Sequence, residues 1–325
     1  MYHRSKGLSF EAALRDMGAS SPKGRVMAAE TLASAQGEEQ RDQAFDALAA
    51  GIGDAKPEVR TTVCYSLAAL ELPAAWELIA LCLSDAVPEV RQSAAIALGT
   101  LGAKPAFDAL AEALREGPAD LRFQAATSLV EVDAEAAYPL LIATLAEEED
   151  AEVLGAIALS LGAIGNAECA NAIADLLDHS APQTRLDAAY ALAQLGDRRA
   201  SQTLATFLAD ADLGWDAVIA LETLGADSLS HFEAFLESPA GEARVRLRAA
   251  GAHLTLGEGT HASAQTCLID GLRSRKVELR GLALEELSKC AGDWAKPALL
   301  ALHKSFRGRR MRDEIDTVLA QLEAA

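Results

Sequence analysis

Aromatic side chains make up only 5% of this 325-residue chain. Its apolar half is dominated by alanine and leucine, a mixture that suits close-packed helices rather than sheets, which draw on Val, Ile, Thr and Tyr. Positive charge is short as well. With 29 Lys and Arg against 48 Asp and Glu, the net charge is −19, which argues against a nucleic-acid backbone or an anionic membrane as the main partner. No run approaches ~18 consecutive apolar residues, so no membrane insertion is expected. The start, MYHRSKGLSFEAAL, is basic but lacks the apolar core of a secretion signal. Cys64, Cys82, Cys169, Cys267 and Cys290 are odd in number, scattered, and never form C-x-x-C. They read as small buried hydrophobes in a reducing compartment, so a cytoplasmic location is expected.

The usual signatures of catalysis are missing too. Histidine occurs at His3, His179, His231, His253, His261 and His303, with no H-E-x-x-H and no His-Glu dipeptide. His253 stands where its helix carries a core leucine, and reads as a satisfied buried histidine rather than a ligand. GEGTH at 257–261 reads as a linker, too short to cradle a phosphate. No G-x-S-x-G elbow is present, and the acids of LAEEEDAEV at 145–153 read as solvated surface. The sequence therefore points to no catalytic residues, no cofactor and no metal ligands.

What the chain does have is a repeat. An arginine returns in a fixed setting at Arg25, Arg60, Arg91, Arg122, Arg185, Arg246, Arg280 and Arg312, and the same setting recurs without it at Leu154 and Gly214. These are ten registers at spacings of 29 to 35 residues, the mark of a stacked array. Each repeat reads as two helices. The second opens at a proline or small polar residue, as at Pro57, Pro88, Pro118 and Pro182, and stops near Gly102, Gly165, Gly196 or Gly225. Its core positions in the third repeat, Val90, Ala94, Ala97, Leu98 and Leu101, fall on one helical face. The preceding helix is shorter, as in KPAFDALAEALREG at 104–117. Alanine pairs at 28–29, 94–95, 125–126 and 188–189 allow neighbouring helices to approach closely.

The pattern P-x-V-R-x-x-A-A-x-A-L-G-x-L-G, carried most fully by PEVRQSAAIALGTLG at 88–102 and PQTRLDAAYALAQLG at 182–196, resembles the HEAT-like repeat of the phycobilisome-lyase type. The resemblance covers essentially the whole chain. It implies an all-α, right-handed α-α superhelix of about ten helix pairs, with the second helices lining the concave side. On that reading 1–325 is one solenoid, with a capping repeat at 1–36, central repeats over 37–290 and a second cap at 291–325. HEAT-type hydroxylases that bind di-iron rely on His-Glu pairs, which this chain lacks. HEAT-like DNA glycosylases need a basic concave groove, and almost no Lys or Arg occupies the outward positions before the eighth repeat.

An acid precedes several register positions by six, at Asp54, Asp85, Glu116 and Glu148. Acid and arginine are expected to form a structural ladder between adjacent repeats, because a residue present in eight repeats cannot define one active site. The joints at Leu154 and Gly214 are then expected to differ from their neighbours in curvature or opening free energy.

A function is suggested by two positions of the second helix, one and five after the register residue, which lie roughly opposite the packed face. An ordinary wet surface would carry Glu, Lys and Gln there. From the second repeat to the eighth they hold Tyr65, Ile96, Phe123, Leu159, Leu186, Tyr190, Trp215, Ile219 and Leu247, while the position two after stays mostly polar. Either these side chains pack against adjacent second helices or they form an apolar stripe flanked by acids. Such a stripe suits a peptide or amphipathic helix, possibly basic, of a partner protein. Residues 271–312 hold eleven Lys and Arg against four Asp and Glu, densest in KSFRGRRMR at 304–312, a run that reads as a solvated cap. The leading expectation is a non-enzymatic scaffold or adaptor that binds protein. A bilin-lyase-like subunit and a self-assembling array are the alternatives.

Overall fold

The computed structural model describes residues 8–257 and 261–324, so His3, the basic start and the middle of GEGTH lie outside the described residues. All regular structure in the described residues is helical. Packing divides the chain into two compact bodies, residues 1–164 and 165–325.

Each of the ten registers opens or lies within a second helix. In the first body these are Pro22–Leu32, Pro57–Ala69, Pro88–Leu101, the first part of Ala119–Leu145, and Ala151–Ile164. In the second body they are Pro182–Gln194, Gly214–Thr223, Ala243–Leu256, Val277–Cys290 and Arg312–Ala324. Proline sits in the first turn at Pro22, Pro57, Pro88 and Pro182, where no N–H bond is lost. Pro118 instead caps its helix, one residue before the first turn. Gly102, Gly165, Gly196 and Gly225 all take the left-handed conformation that ends a helix cheaply. The fourth repeat has no such glycine. Its helix breaks at Asp133, whose extended backbone separates two helical segments and whose carboxylate accepts from the N–H of Ala136.

Within each body the second helices pack side by side in chain order, and the shorter first helices form the other layer. Small residues make the contact possible. Ala28, Ala29, Ala94, Ala95, Ala125, Ala126, Ala188 and Ala189 are all fully buried. At Gly99 a β-carbon would lie 3.1 Å from the Ser128 Cα of the next second helix, so only glycine fits without displacement.

The ladder exists in the first body. Arg25 grips Asp54 through Nε and a second guanidinium nitrogen at 2.6 and 2.8 Å, and Arg60 grips Asp85 at 2.6 and 2.7 Å. Arg122 holds Glu148 at 2.8 and 2.7 Å. The third rung differs from the expected one. Arg91 binds Asp120, in the first turn of the next second helix, at 2.9 and 3.1 Å, and Glu116 takes no part in it. These arginines hold Asp54, Asp85 and Glu148 below the usual carboxylate range.

In the second body the register arginine keeps a different bond. Arg185 and Arg280 donate to the carbonyls of His179 and Ser274, each six residues earlier, as Arg25, Arg60 and Arg91 do in the first body. Arg246 donates to Ala240, also six earlier, and to carbonyls at the end of the preceding helix. Arg185 and Arg246 lie over the rings of Phe207 and Phe235 at 5.5 and 5.6 Å. The general role of the arginine is thus to tie its own helix to the loop before it. The link to the next repeat is added where a carboxylate is in reach.

Candidate functional site

The two outward positions of the second helix are not equivalent. The fifth position is the open one. Tyr65 keeps 40% of its surface exposed, and Ile96, Leu159, Tyr190 and Ile219 are half-buried. At the first position Phe123 is also 40% exposed and Trp215 half-buried, but Leu186 and Leu247 are 3% exposed and belong to the core. Leu247 shows why. Its side chain points at the first helix of the following repeat, Ala262–Arg273, where a β-carbon on Gly271 would meet Leu247 Cδ2 at 2.5 Å. The first position turns toward the layer of first helices, so a branched aliphatic side chain is absorbed there, whereas Phe123 and Trp215 are too long to be covered completely.

In the first body the open residues are therefore Tyr65, Ile96, Phe123 and Leu159, and in the second Tyr190, Trp215 and Ile219. The neighbouring polar position carries Thr62 and Gln124 in the first body and Asp187 and Asp216 in the second. Burial, aided by the nearby charge of Asp216, pushes the Asp187 carboxyl up.

The arginine missing at Gly214 is explained by contact. A β-carbon on this buried glycine would sit 2.9 Å from the carbonyl oxygen of Leu208, again six residues earlier. The helix approaches the preceding loop so closely that backbone replaces the guanidinium bridge. Trp215 follows directly and projects beside it.

Two clusters in the second body had only faint sequence signals. Arg248 bridges Glu222 and Glu286 on the flanking second helices, bonding the first closely and the second at 3.3 Å, while Lys289 reaches Glu286 at 3.1 Å. Glu286 is fully buried and its carboxyl is pushed up by that burial. A β-carbon on Gly251 would lie 2.1 Å from Glu286 Oε2, so the small residue that departs from the repeat pattern makes room for the charge. The second cluster joins Glu233, His253 and His261. His253 is 4% exposed as expected, but it is not fully satisfied, since its Nδ1 meets no partner and only Nε2 faces Glu233, at 3.3 Å. Burial pushes the His253 imidazole below its ordinary value.

A cleft of about 700 Å³ in the second body is lined by Leu236, Arg246, Leu247, Cys267, Asp270 and Gly271. Cys64, Cys82 and Cys169 are buried as expected. Cys267 and Cys290 are only partly so, yet burial pushes their thiols up to about 11 and about 12, which keeps both protonated at neutral pH. No helix among the described residues is long and apolar enough to cross a membrane.

HEAT repeats are matched over residues 77–161 and 138–225. No curated protein matches the sequence. Among solved structures, one describing Kap95p binding to RanGDP in nuclear import aligns with 97% of this chain at 12% identity and a TM-score of 0.62. A structure of importin beta aligns with 97% at 12% identity and a TM-score of 0.59. The chain spans only about half of each, 52% and 50% of their lengths, and at such identity the likeness concerns the fold alone. The CpcE–CpcF complex of phycocyanin lyase from Nostoc sp. PCC7120 aligns with 88% of this chain and 97% of that one at 23% identity. Its TM-score is 0.38, and nothing about activity follows from it. The helix pair that recurs with the arginine register matches the HEAT repeat over residues 77–225, and the fold is that of the all-helical HEAT-like α-solenoids.

Proposed function

We propose that this protein is a binding scaffold that holds a peptide or helix of a partner protein against the open faces of its second helices. The observation that carries the reading is the exposure of Tyr65 and Phe123, two large aromatic side chains that stand 40% open on a face where an ordinary wet helix would carry charge. Ile96 and Leu159 in the same body, and Tyr190, Trp215 and Ile219 in the other, extend the pattern at equivalent repeat positions. Leu186 and Leu247 are left out of the contact set, because a partner cannot reach side chains buried in the core. Residues 1–270 hold forty acids against eighteen Lys and Arg, so a partner segment with basic residues beside its apolar anchors is favoured. Kap95p, which shares this fold, binds the protein RanGDP, which supports the reading by analogy alone. Five free cysteines, three of them buried, fit a reducing compartment such as the cytoplasm.

The test is affinity capture from the source cell, with recovered proteins identified by mass spectrometry. Wild type is compared with Tyr65→Ala/Phe123→Ala and with Tyr190→Ala/Trp215→Ala, after circular dichroism confirms that each variant is folded. Partners that wild type retains should be depleted at least about tenfold by one or both double variants, the effect of losing ~1.4 kcal/mol at an anchor. Equal recovery by all three folded proteins would remove the proposed face from consideration.

A further inference from the structure

We propose that Glu233, His253 and His261 form a binding site for one divalent transition-metal ion of the zinc type. The three residues come from three elements of the second body. Glu233 lies on Leu229–Glu237, His253 on Ala243–Leu256, and His261 caps the start of Ala262–Arg273. One ligand atom from each lies within 4.8 Å of the other two. His253 Nε2 is 3.3 Å and His261 Nε2 is 3.8 Å from the same oxygen, Glu233 Oε1.

These distances are those of a coordination polyhedron rather than of a tight ion pair. Zinc–nitrogen and zinc–oxygen bonds of about 2.0–2.1 Å at tetrahedral angles place neighbouring ligand atoms about 3.4 Å apart. The His253 edge already has that length. The His261 edge exceeds it by a few tenths of an ångström, a gap that a small swing of the His261 ring closes. His261 is the ligand placed to move, because its side chain is 22% exposed while that of His253 is 5% exposed.

The imidazoles have no other polar engagement that competes. Nδ1 of both rings is buried without a hydrogen-bond partner, so each ring has its one polar contact at Nε2, toward Glu233. The ring centroids stand 4.5 Å apart at a tilt of 47°. Without an ion, one carboxylate oxygen must serve the Nε2 atoms of two imidazoles, a costly arrangement for a ring as buried as His253. A cation between the three atoms engages both lone pairs and the carboxylate at once. Two imidazoles and one carboxylate select Zn²⁺ or Co²⁺ over Mg²⁺ and Ca²⁺, which require oxygen-rich sets. Glu233 is 46% exposed on its side chain, so the cluster can be reached from solvent.

The experiment uses the full chain after treatment with a chelator. Co²⁺ is titrated in while visible absorption is recorded, and Zn²⁺ is then added to displace it. The expected result is one Co²⁺ per chain with the intense bands of a four- or five-coordinate ion, lost on adding Zn²⁺. Glu233→Gln and His261→Ala should each weaken binding at least about tenfold. His231→Ala, on the same helix as Glu233, should leave it unchanged. His253→Leu, which restores the side chain typical of this helix position, should remove the site while keeping the fold. Zn²⁺ should also raise the melting temperature of wild type and not of these ligand variants. The proposal is overturned if wild type binds neither ion more tightly than the Glu233→Gln/His261→Ala double variant. It is equally overturned if the Co²⁺ spectrum carries the thiolate charge-transfer band that Cys267 or Cys290 would give.

Discussion

Gly214 shows how one atom decides the local design of a repeat. Most registers place a guanidinium between the helix and the carbonyl six residues earlier, but here the Leu208 carbonyl lies 2.9 Å from where a β-carbon would be. Restoring the repeat pattern with Gly214→Arg should therefore destabilise the protein, by about 1–3 kcal/mol, as overpacking of a closed site does. Thermal or urea unfolding of that variant checks the sign, and a gain in stability would contradict the contact argument. The repeat pattern alone suggests the opposite outcome, because in sequence a missing arginine looks like a defect. What was legible was that the position is special and that Trp215 stands beside it. The backbone approach that makes glycine necessary depends on the path of the preceding loop, and no residue type announces that path.

At the scale of the helix, the ends are legible in the sequence because they are local. Proline in a first turn and glycine in a left-handed cap follow from single-residue conformational limits, and they recur at the expected positions. The faces are less completely legible. The fifth position keeps some exposed surface from the second repeat to the seventh, whereas Leu186 and Leu247 are buried because the first position leans toward the other layer of helices, an orientation set by packing angles between layers. The Glu222–Arg248–Glu286 bridge was hidden for a related reason, since three helices must align before its charges meet. Gly251→Ala should be costly, by about 1–3 kcal/mol, because the new methyl group collides with a fully buried carboxylate. A second change, Glu286→Ala in the Gly251→Ala background, should recover part of that loss by removing the collision, and chemical denaturation of the single and double variants measures the coupling.

On the scale of whole bodies, the two share one repeat but are tied differently. The first uses carboxylates: Asp54, Asp85 and Glu148 are held below the usual carboxylate range by Arg25, Arg60 and Arg122. A carboxyl whose folded pKa lies below its unfolded value binds fewer protons when folded. Its contribution is thus full above the ordinary range near about 4 and is lost as pH falls through the folded value. Asp187 and Glu286 in the second body, pushed up by burial, work in the opposite direction, and their contribution declines as pH rises through the folded value. Trp76 is the one tryptophan in residues 1–164, so a Trp215→Phe/Trp294→Phe background reports unfolding of the first body alone. In that background the cost of Arg60→Met should be largest at neutral pH and shrink as Asp85 becomes protonated. A penalty that stays constant down to acidic pH would separate the ladder from the stability of this body.

The central claim is that the open faces of the second helices hold a partner protein. Hydrogen–deuterium exchange on the complex with a captured partner tests it most directly. The account predicts that binding slows exchange in second helices that carry the open side chains, Pro57–Ala69, Pro88–Leu101, Pro182–Gln194 and Gly214–Thr223 among them. Protection confined to first helices such as Phe107–Glu116 and Ala262–Arg273, with the second helices unchanged, would contradict it.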